Sequence, residues 1–301
     1  MHREISYSGW NRCLELTNGA FRLIATLEVG PRILFFGPPD GPNLFKEFTA
    51  QSGLRVPKQS DPQSGDWLIW GGHRLWVAPE ADYCYLPDNQ PVRLETLPGG
   101  GFRLIAPDEA GPGWRREIDL LPSPDQARIE VLHRLVSLRD QDLEVAPWAL
   151  SVMDAGGTAL IPQPPLGKHP IDLLPNRNLV VWPYVDLTDD RLDMNATCWT
   201  LRQTAGREPI KIGLRHSTGP LGYWNHGHLF TTTVDLDPAA SYPDFGVNCE
   251  FFTNSEMLEV ETLGPLRRLR KGETAELRSV WQIHPAADLA AARARIQGVG
   301  L

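Results

Sequence analysis

Phe21, Leu23, Ala25, Leu27 and Val29 occupy alternate positions, with Arg22, Thr26 and Glu28 between them. A period of two residues sends successive side chains to opposite faces of a strand, so 21–29 is predicted to be a half-buried antiparallel strand. Short apolar runs of the same kind recur at 92–97, 102–106, 115–121, 127–138, 158–161, 179–184, 196–203, 209–215, 228–234, 247–253, 256–263 and 275–283. Evenly spread glycines and prolines, 27 of each, punctuate these runs as turns do between strands. One segment departs from the pattern. Residues 286–297 are alanine-rich, follow Pro285 and precede Gly298, which predicts a helix. Two stretches, 38–66 and 162–178, read as long loops, of the kind that on a β scaffold is usually functional or disordered. The expectation is a mainly β chain: one domain over 1–301, an antiparallel β-sandwich of two large sheets with a short C-terminal helix.

Composition narrows the class. Of 301 residues, 42% are hydrophobic and 22% charged, ordinary for a chain with a proper core. A net charge of −8, with no basic cluster beyond Arg267, Arg268, Arg270 and Lys271, argues against a nucleic-acid partner. No apolar run is long enough to span a membrane, and 1–4 lacks a secretory h-region. Cys13, Cys84, Cys198 and Cys249 are far apart and form no CxxC pair, so they are expected to be reduced, mostly buried thiols of a cytoplasmic protein, without a metal site or other cofactor. Ten tryptophans are about twice the usual share for this length. Most serve as core. Indole also stacks on the C–H faces of sugars while its N–H stays free to hydrogen-bond.

Four segments gather chemistry. Gly71-Gly72 precedes His73, Arg74, Trp76 and Glu80; the glycines permit a close backbone approach, and the side chains after them can hydrogen-bond or stack on a sugar. As plain structure it is a turn followed by a strand with Leu75 and Val77 inward and Arg74 and Trp76 on the opposite face. In 256–265, Glu259 and Glu261 share a strand face, with Cβ atoms about 6–7 Å apart. Between the apolar Met257 and Leu263 they raise one another's pKa, which suits a general base; a solvated face bearing two glutamates is the other reading. Trp182 and Tyr184, followed by Asp186, Asp189, Asp190 and Arg191, form either a stacking wall or a strand running into an acidic turn. His226 and His228 share a face, but the Asn225 and Gly227 around them indicate a hairpin tip rather than a metal site. His133 lies on an apolar strand face, the usual setting of a core histidine. No GxSxG, phosphate-binding loop or dinucleotide fingerprint is present.

Taken in order, these segments resemble the galactose mutarotase-like superfamily, which includes the aldose 1-epimerases. The resemblance covers nearly the whole chain through loose motifs. The stretches 14–19 and 29–34, the latter with Arg32, resemble the family's first strands. Residues 71–80 resemble the stretch carrying a sugar-binding arginine, here Arg74. Glu259-Val260-Glu261-Thr262, Lys271-Gly272-Glu273 and Trp281-Gln282-Ile283 resemble the family's end. What the resemblance implies is a supersandwich with a sugar site on the concave face of one sheet. There a glutamate takes the anomeric proton and a histidine protonates the ring oxygen. The glutamate carries over to Glu261, with Glu259 as second choice. The family's middle-strand histidine does not carry over, because 145–151 reads Val-Ala-Pro-Trp-Ala-Leu-Ser. His73 is then the first substitute acid, with His226 or His228 next. Arg32, Arg74 and Glu80 would hold substrate, and Trp76, Trp148, Trp182 and Tyr184 would stack against it. The partner implied is a small carbohydrate. Two functions remain open, an anomer-interconverting isomerase and a non-catalytic sugar binder or sensor, with a polysaccharide-active enzyme as a weaker third.

Overall fold

The computed structural model describes residues 1–55, 68–85, 88–109 and 111–298. Among them, two large antiparallel sheets pack face to face. The first runs, in spatial order, His2–Tyr7, Trp10–Thr17, Arg22–Thr26, Arg32–Gly37, His73–Ala78, Leu143–Met153, Leu258–Leu263, Cys249–Thr253, Ile210–Leu214 and Val180–Val181, with Arg267–Leu269 also paired to Leu143–Met153. The second runs Leu192–Asp193, Cys198–Arg202, Thr158–Pro162, Leu221–Asn225, His228–Thr232, Thr274–Pro285, Arg128–Ser137, Trp114–Pro122, Phe102–Ile105 and Arg93–Thr96.

The core follows from alternation. Leu75, Val77, Ile212, Phe251 and Val260 of the first sheet meet Ile129, Val131, Leu135, Phe230 and Trp281 of the second in one cluster. Trp281 lies at its centre, 5.4 Å from the Phe36 ring and 4.6 Å from the His73 ring. A sheet buried on one face and built from such pairs has its register fixed, since a slip of one residue would turn each apolar side chain outward.

Three expectations change in detail. The helix begins at Leu289, not near Pro285, because Thr274–Pro285 remains strand and Asp288 caps the helix by accepting from Ala291 N–H at 2.8 Å. The predicted strand 179–184 shrinks to Val180–Val181, which frees Trp182 and Tyr184 from the ladder. In the predicted loop 38–66, Phe45 and Glu47 bridge to Met153 and Gly71, while 56–66 lie outside the described residues. The loop 162–178 has neither helix nor strand beyond Pro162. All four cysteines are buried and unpaired, and no helix among the described residues is long and apolar enough to cross a membrane.

Candidate functional site

Five adjacent strands of the first sheet turn one residue in two toward the core. Their alternates gather on the other face. Trp76 lies opposite Trp148, Arg74 opposite Leu150, and Leu150 opposite Glu261. Glu261 lies opposite Glu250, Glu259 opposite Phe252, and Phe252 opposite Lys211. Trp182 reaches the same face from the end of the edge strand, its N–H donating to Lys211 O at 3.4 Å. Over this face lies a pocket of about 460 Å³, lined by Arg74, Trp76, Trp148, Trp182, Lys211 and Glu259, with Glu80, Tyr85 and Tyr184 among its other walls.

Its polar groups are tied to one another. Arg74 Nη2 is 3.2 Å from Glu259 Oε1, and its guanidinium carbon stands 4.3 Å from the Trp76 ring centre. Lys211 Nζ is 2.8 Å from Glu250 Oε2 and 3.5 Å from Glu261 Oε2, and lies 4.6 Å from the Trp148 ring and 4.9 Å from the Trp182 ring. The Trp148 indole N–H donates to Glu261 Oε2 at 2.7 Å, while Glu261 Oε1 has no hydrogen-bond partner. At the rim, the Tyr85 hydroxyl donates to Glu80.

Burial, opposed by Arg74 and reinforced by Glu261, pushes the Glu259 carboxyl up to about 7. Glu250 is also held well above the usual carboxylate range, chiefly by burial. For Lys211, burial alone would lower the ammonium's pKa, but Glu261 and Glu250 outweigh it and hold it above that of an ordinary lysine. Burial raises the Tyr184 hydroxyl to about 12. The site is therefore a cationic pair embedded in carboxylates, with one carboxyl that titrates near neutrality.

The structure brings Arg74, Trp76, Glu80, Trp148, Trp182, Tyr184 and Glu259 to one pocket. Glu261 sits behind it, fully buried beneath Trp148 and Lys211 and outside the lining. The expected order of the two glutamates is thus reversed as far as access to a ligand goes. Arg32 is not in the pocket: its guanidinium donates to Ile69 O and Gly71 O and pairs with Asp88 at 3.1 Å, fixing a turn.

His73 requires correction as the substitute acid. It shares the core face with Leu75 and lies between the sheets, where period-two alternation puts it. Its Nε2 is 2.7 Å from His133 Nε2, its Nδ1 is 2.9 Å from Ser151 Oγ, and His133 Nδ1 is 3.0 Å from Leu277 O. Burial, with the neighbouring His133, Arg74 and Arg32, holds His73 well below the ordinary imidazole range, and burial lowers His133 to about 4. Both are neutral, and the partners then set the tautomers. His133 Nδ1–H donates to Leu277 O, His73 Nε2–H donates to His133, and the Ser151 hydroxyl donates to His73 Nδ1. The next choices for the acid are no nearer: His226 and His228 flank a hairpin turn, with His226 Nε2 2.9 Å from Asp154. None of the eight histidines lines the pocket.

Gly71 and Gly72 do serve a close approach, but of the chain to itself. Both have positive φ, and a Cβ on either would overlap a backbone carbonyl, that of Lys46 or of Ile33. Asp189 pairs with Arg191 at 2.9 Å and Asp186 accepts from Thr188, so the acids after Tyr184 build a turn. Lys211, Tyr85 and Glu250 were not anticipated. Lys211 between Ile210 and Ile212 reads as a solvated strand position, and Trp148 and Trp182, from other segments, cover it. Among the described residues no group of three or more His, Cys, Asp or Glu side chains is arranged to hold a metal ion.

No protein-family model and no curated protein sequence matches the chain. Solved structures do. A candidate aldose 1-epimerase from Escherichia coli K12 aligns over 90% of this chain and 98% of its own, at 14% identity and a TM-score of 0.54. Another from Klebsiella pneumoniae covers 96% of this chain and 85% of its own, at 12% identity and a TM-score of 0.59. A galactose mutarotase-like protein from Lactobacillus casei covers 90% and 100%, at 8% identity and a TM-score of 0.52. The chain has the galactose mutarotase-like fold.

Proposed function

We propose that the chain binds carbohydrate in the pocket between Trp76, Trp148, Trp182 and Tyr184, with Arg74, Lys211 and Glu259 as polar contacts. The observation that carries this reading is the lining itself: three indoles and two phenols beside a buried guanidinium, ammonium and carboxylate, in about 460 Å³. Aromatic faces take the apolar side of a pyranose, and charged groups already fixed by ion pairs meet its hydroxyls without further ordering. The fold shared with candidate aldose 1-epimerases supports the same ligand class. Charge narrows it. Glu80, Glu250, Glu259 and Glu261 surround only Arg74 and Lys211 among the described groups, so the pocket favours an uncharged sugar over a sugar phosphate. Tryptophan fluorescence titrated with aldoses, aldose phosphates and short oligosaccharides tests this. Quenching by uncharged sugars is expected; unchanged emission across the panel overturns it.

A second reading, anomer interconversion, is favoured by one observation: Glu259 lines the pocket with its carboxyl raised to about 7, the range in which a general base works best. Glu259 would take the anomeric proton. Lys211 and Tyr184 line the same pocket as candidate proton donors, and no imidazole does. Saturation-transfer NMR between the α and β anomers of a quenching sugar separates the two. Exchange that Glu259→Gln abolishes makes the chain an isomerase, and binding without catalysed exchange makes it a binder.

A further inference from the structure

The loop between Pro162 and Val180 is closed on itself. Asn176 Nδ2 donates to Pro165 O at 2.9 Å, Arg177 Nη2 to Pro164 O at 2.8 Å, and Lys168 N to Asp172 Oδ2 at 2.8 Å. Its large apolar side chains nevertheless point outward. Leu166 is 68% exposed, Ile171 78%, Leu173 71% and Leu174 86%. Single exposed aliphatics are common, but four around one cavity on one short loop, with His169, Asp172 and Asn176 between them, are a concentration that marks an interaction site. Pro164, Pro165, Pro170 and Pro175 restrict the backbone, so little freedom remains to be lost on docking.

Beside the loop's root is a groove of about 570 Å³, lined by Pro162, Pro165, Ala196, Thr218 and Ile296 among others, with no charged residue. The groove's near wall is the loop's own Pro164, Pro165 and Leu166, while Ile171, Leu173 and Leu174 lie outside it, so exposed arm and groove belong to one chain and match in chemistry. That is the condition for a two-fold contact in which each copy gives its arm and receives the other's. The size fits as well. Ile171, Leu173 and Leu174 of the arm, with Leu166 at the groove's edge, offer each copy on the order of 400 Å² of apolar surface, near the non-polar share of the roughly 800 Å² each partner buries in a standard interface.

We propose that this loop is a dimerisation arm, laying Ile171, Leu173 and Leu174 of one copy into the groove beside Ala196 and Ile296 of a second copy, and the reverse. The arm runs directly into Val180–Val181, the edge of the first sheet, and then into Trp182 and Tyr184. The second copy therefore also steadies the outer wall of the pocket.

Sedimentation velocity on the full chain tests the proposal. The wild type is expected at twice 33.6 kDa. Leu173→Asp with Leu174→Asp, and separately Ala196→Arg on the groove side, should each shift it to a single copy without changing the circular dichroism spectrum, since all three residues are exposed. Hydrogen exchange at 180–184 should quicken in the same variants. A wild type that sediments as one copy, or a dimer that survives both sets of substitutions, overturns the proposal. So does a monomer that floats with phosphatidylcholine vesicles, which would assign the arm to a lipid surface.

Discussion

His73 and Arg74 are consecutive on one strand and both are buried, yet they settle on opposite faces of the sheet and are accommodated there by opposite means. On the core face, His73 and His133 give up charge and, with Ser151, pass a chain of neutral hydrogen bonds to Leu277 O. On the pocket face, Arg74 and Lys211 stay cationic and are balanced by ion pairs to the glutamates. A buried ionic network is costly unless its partners all remain in place, and it rarely stabilises a fold better than apolar packing would. Here the Arg74, Lys211 and glutamate network lies on the face that carries the pocket.

The contrast breaks most sharply at Lys211. Lys211→Met removes the cation between Glu250 and Glu261 and leaves two carboxylates buried together. Breaking such a pair from one side typically costs about 3–5 kcal/mol. A large fall in the guanidinium unfolding midpoint is expected, largely restored when Glu250→Gln and Glu261→Gln are added. If the single variant is as stable as the wild type, the ammonium does not hold this face together. By comparison, Ser151→Ala on the core face removes one neutral hydrogen bond and should cost only about 1 kcal/mol.

The two faces also titrate in opposite senses. His133 falls from 6.5 unfolded to about 4 folded, so in that interval the unfolded chain binds a proton that the folded one does not, and stability drops as pH falls. Glu259 rises from 4.5 to about 7, so the folded chain keeps a proton the unfolded one has lost, and stability drops as pH rises. Each shift is worth roughly 3 kcal/mol, and over the shared interval they oppose one another. Between pH 7 and pH 4.5, Glu259→Gln should lose roughly 3 kcal/mol more than the wild type, because the gain that protonating Glu259 gives the folded wild type over that range is absent. His133→Leu should change in the other direction, whatever its stability at neutral pH. Denaturant titrations at several pH values read both slopes; parallel profiles for all three proteins would remove the two groups from the balance.

At the pocket's outer wall the expected effect is smaller. Trp182→Ala should weaken binding of a quenching sugar by about 1 kcal/mol, roughly fivefold, since Trp182 supplies a half-buried face rather than an anchor. Trp76→Ala should cost more, because Trp76 also carries the Arg74 guanidinium. Equal affinities by calorimetry would place the sugar elsewhere.

How far these faces were legible in the sequence can be judged residue by residue. The alternation that puts Leu75 and Val77 in the core and Arg74 and Trp76 outside already assigns His73 to the core with Leu75. Weighing His73 as an acid followed its chemistry and set aside its parity. Glu259 and Glu261 do share a face, as their spacing required, but spacing along one strand cannot tell which is roofed by Trp148. That roof comes from a strand more than a hundred residues away. Lys211 was invisible for the same reason, its cover being Trp148 and Trp182. Of the ten tryptophans, three line the pocket and most of the others are core, Trp10, Trp70, Trp114, Trp199 and Trp281 among them, so abundance alone could not tell pocket indoles from core ones. The helix start was missed at Asp288, where an ordinary capping residue was read as part of an alanine-rich run.

The finest distinction lies between the two glutamates. Glu261→Gln changes a carboxyl that lies outside the pocket lining. Its amide oxygen can still accept from the Trp148 indole, its NH₂ group takes the place of the unpartnered Oε1, and Lys211 keeps Glu250. Sugar affinity should move by no more than about twofold, some 0.4 kcal/mol. Glu259→Gln acts where the ligand sits. In the wild type the carboxyl passes from acid to carboxylate around pH 7, changing from a donor to an acceptor toward a sugar hydroxyl, so affinity should vary with pH through that region. In Glu259→Gln the variation should vanish while affinity at any one pH stays within a few-fold. Fluorescence titrations from mildly acid to mildly alkaline buffer resolve both effects. A pH profile that survives Glu259→Gln but disappears in Glu261→Gln would return the working role to Glu261, and would mean that Trp148 swings aside when the ligand enters.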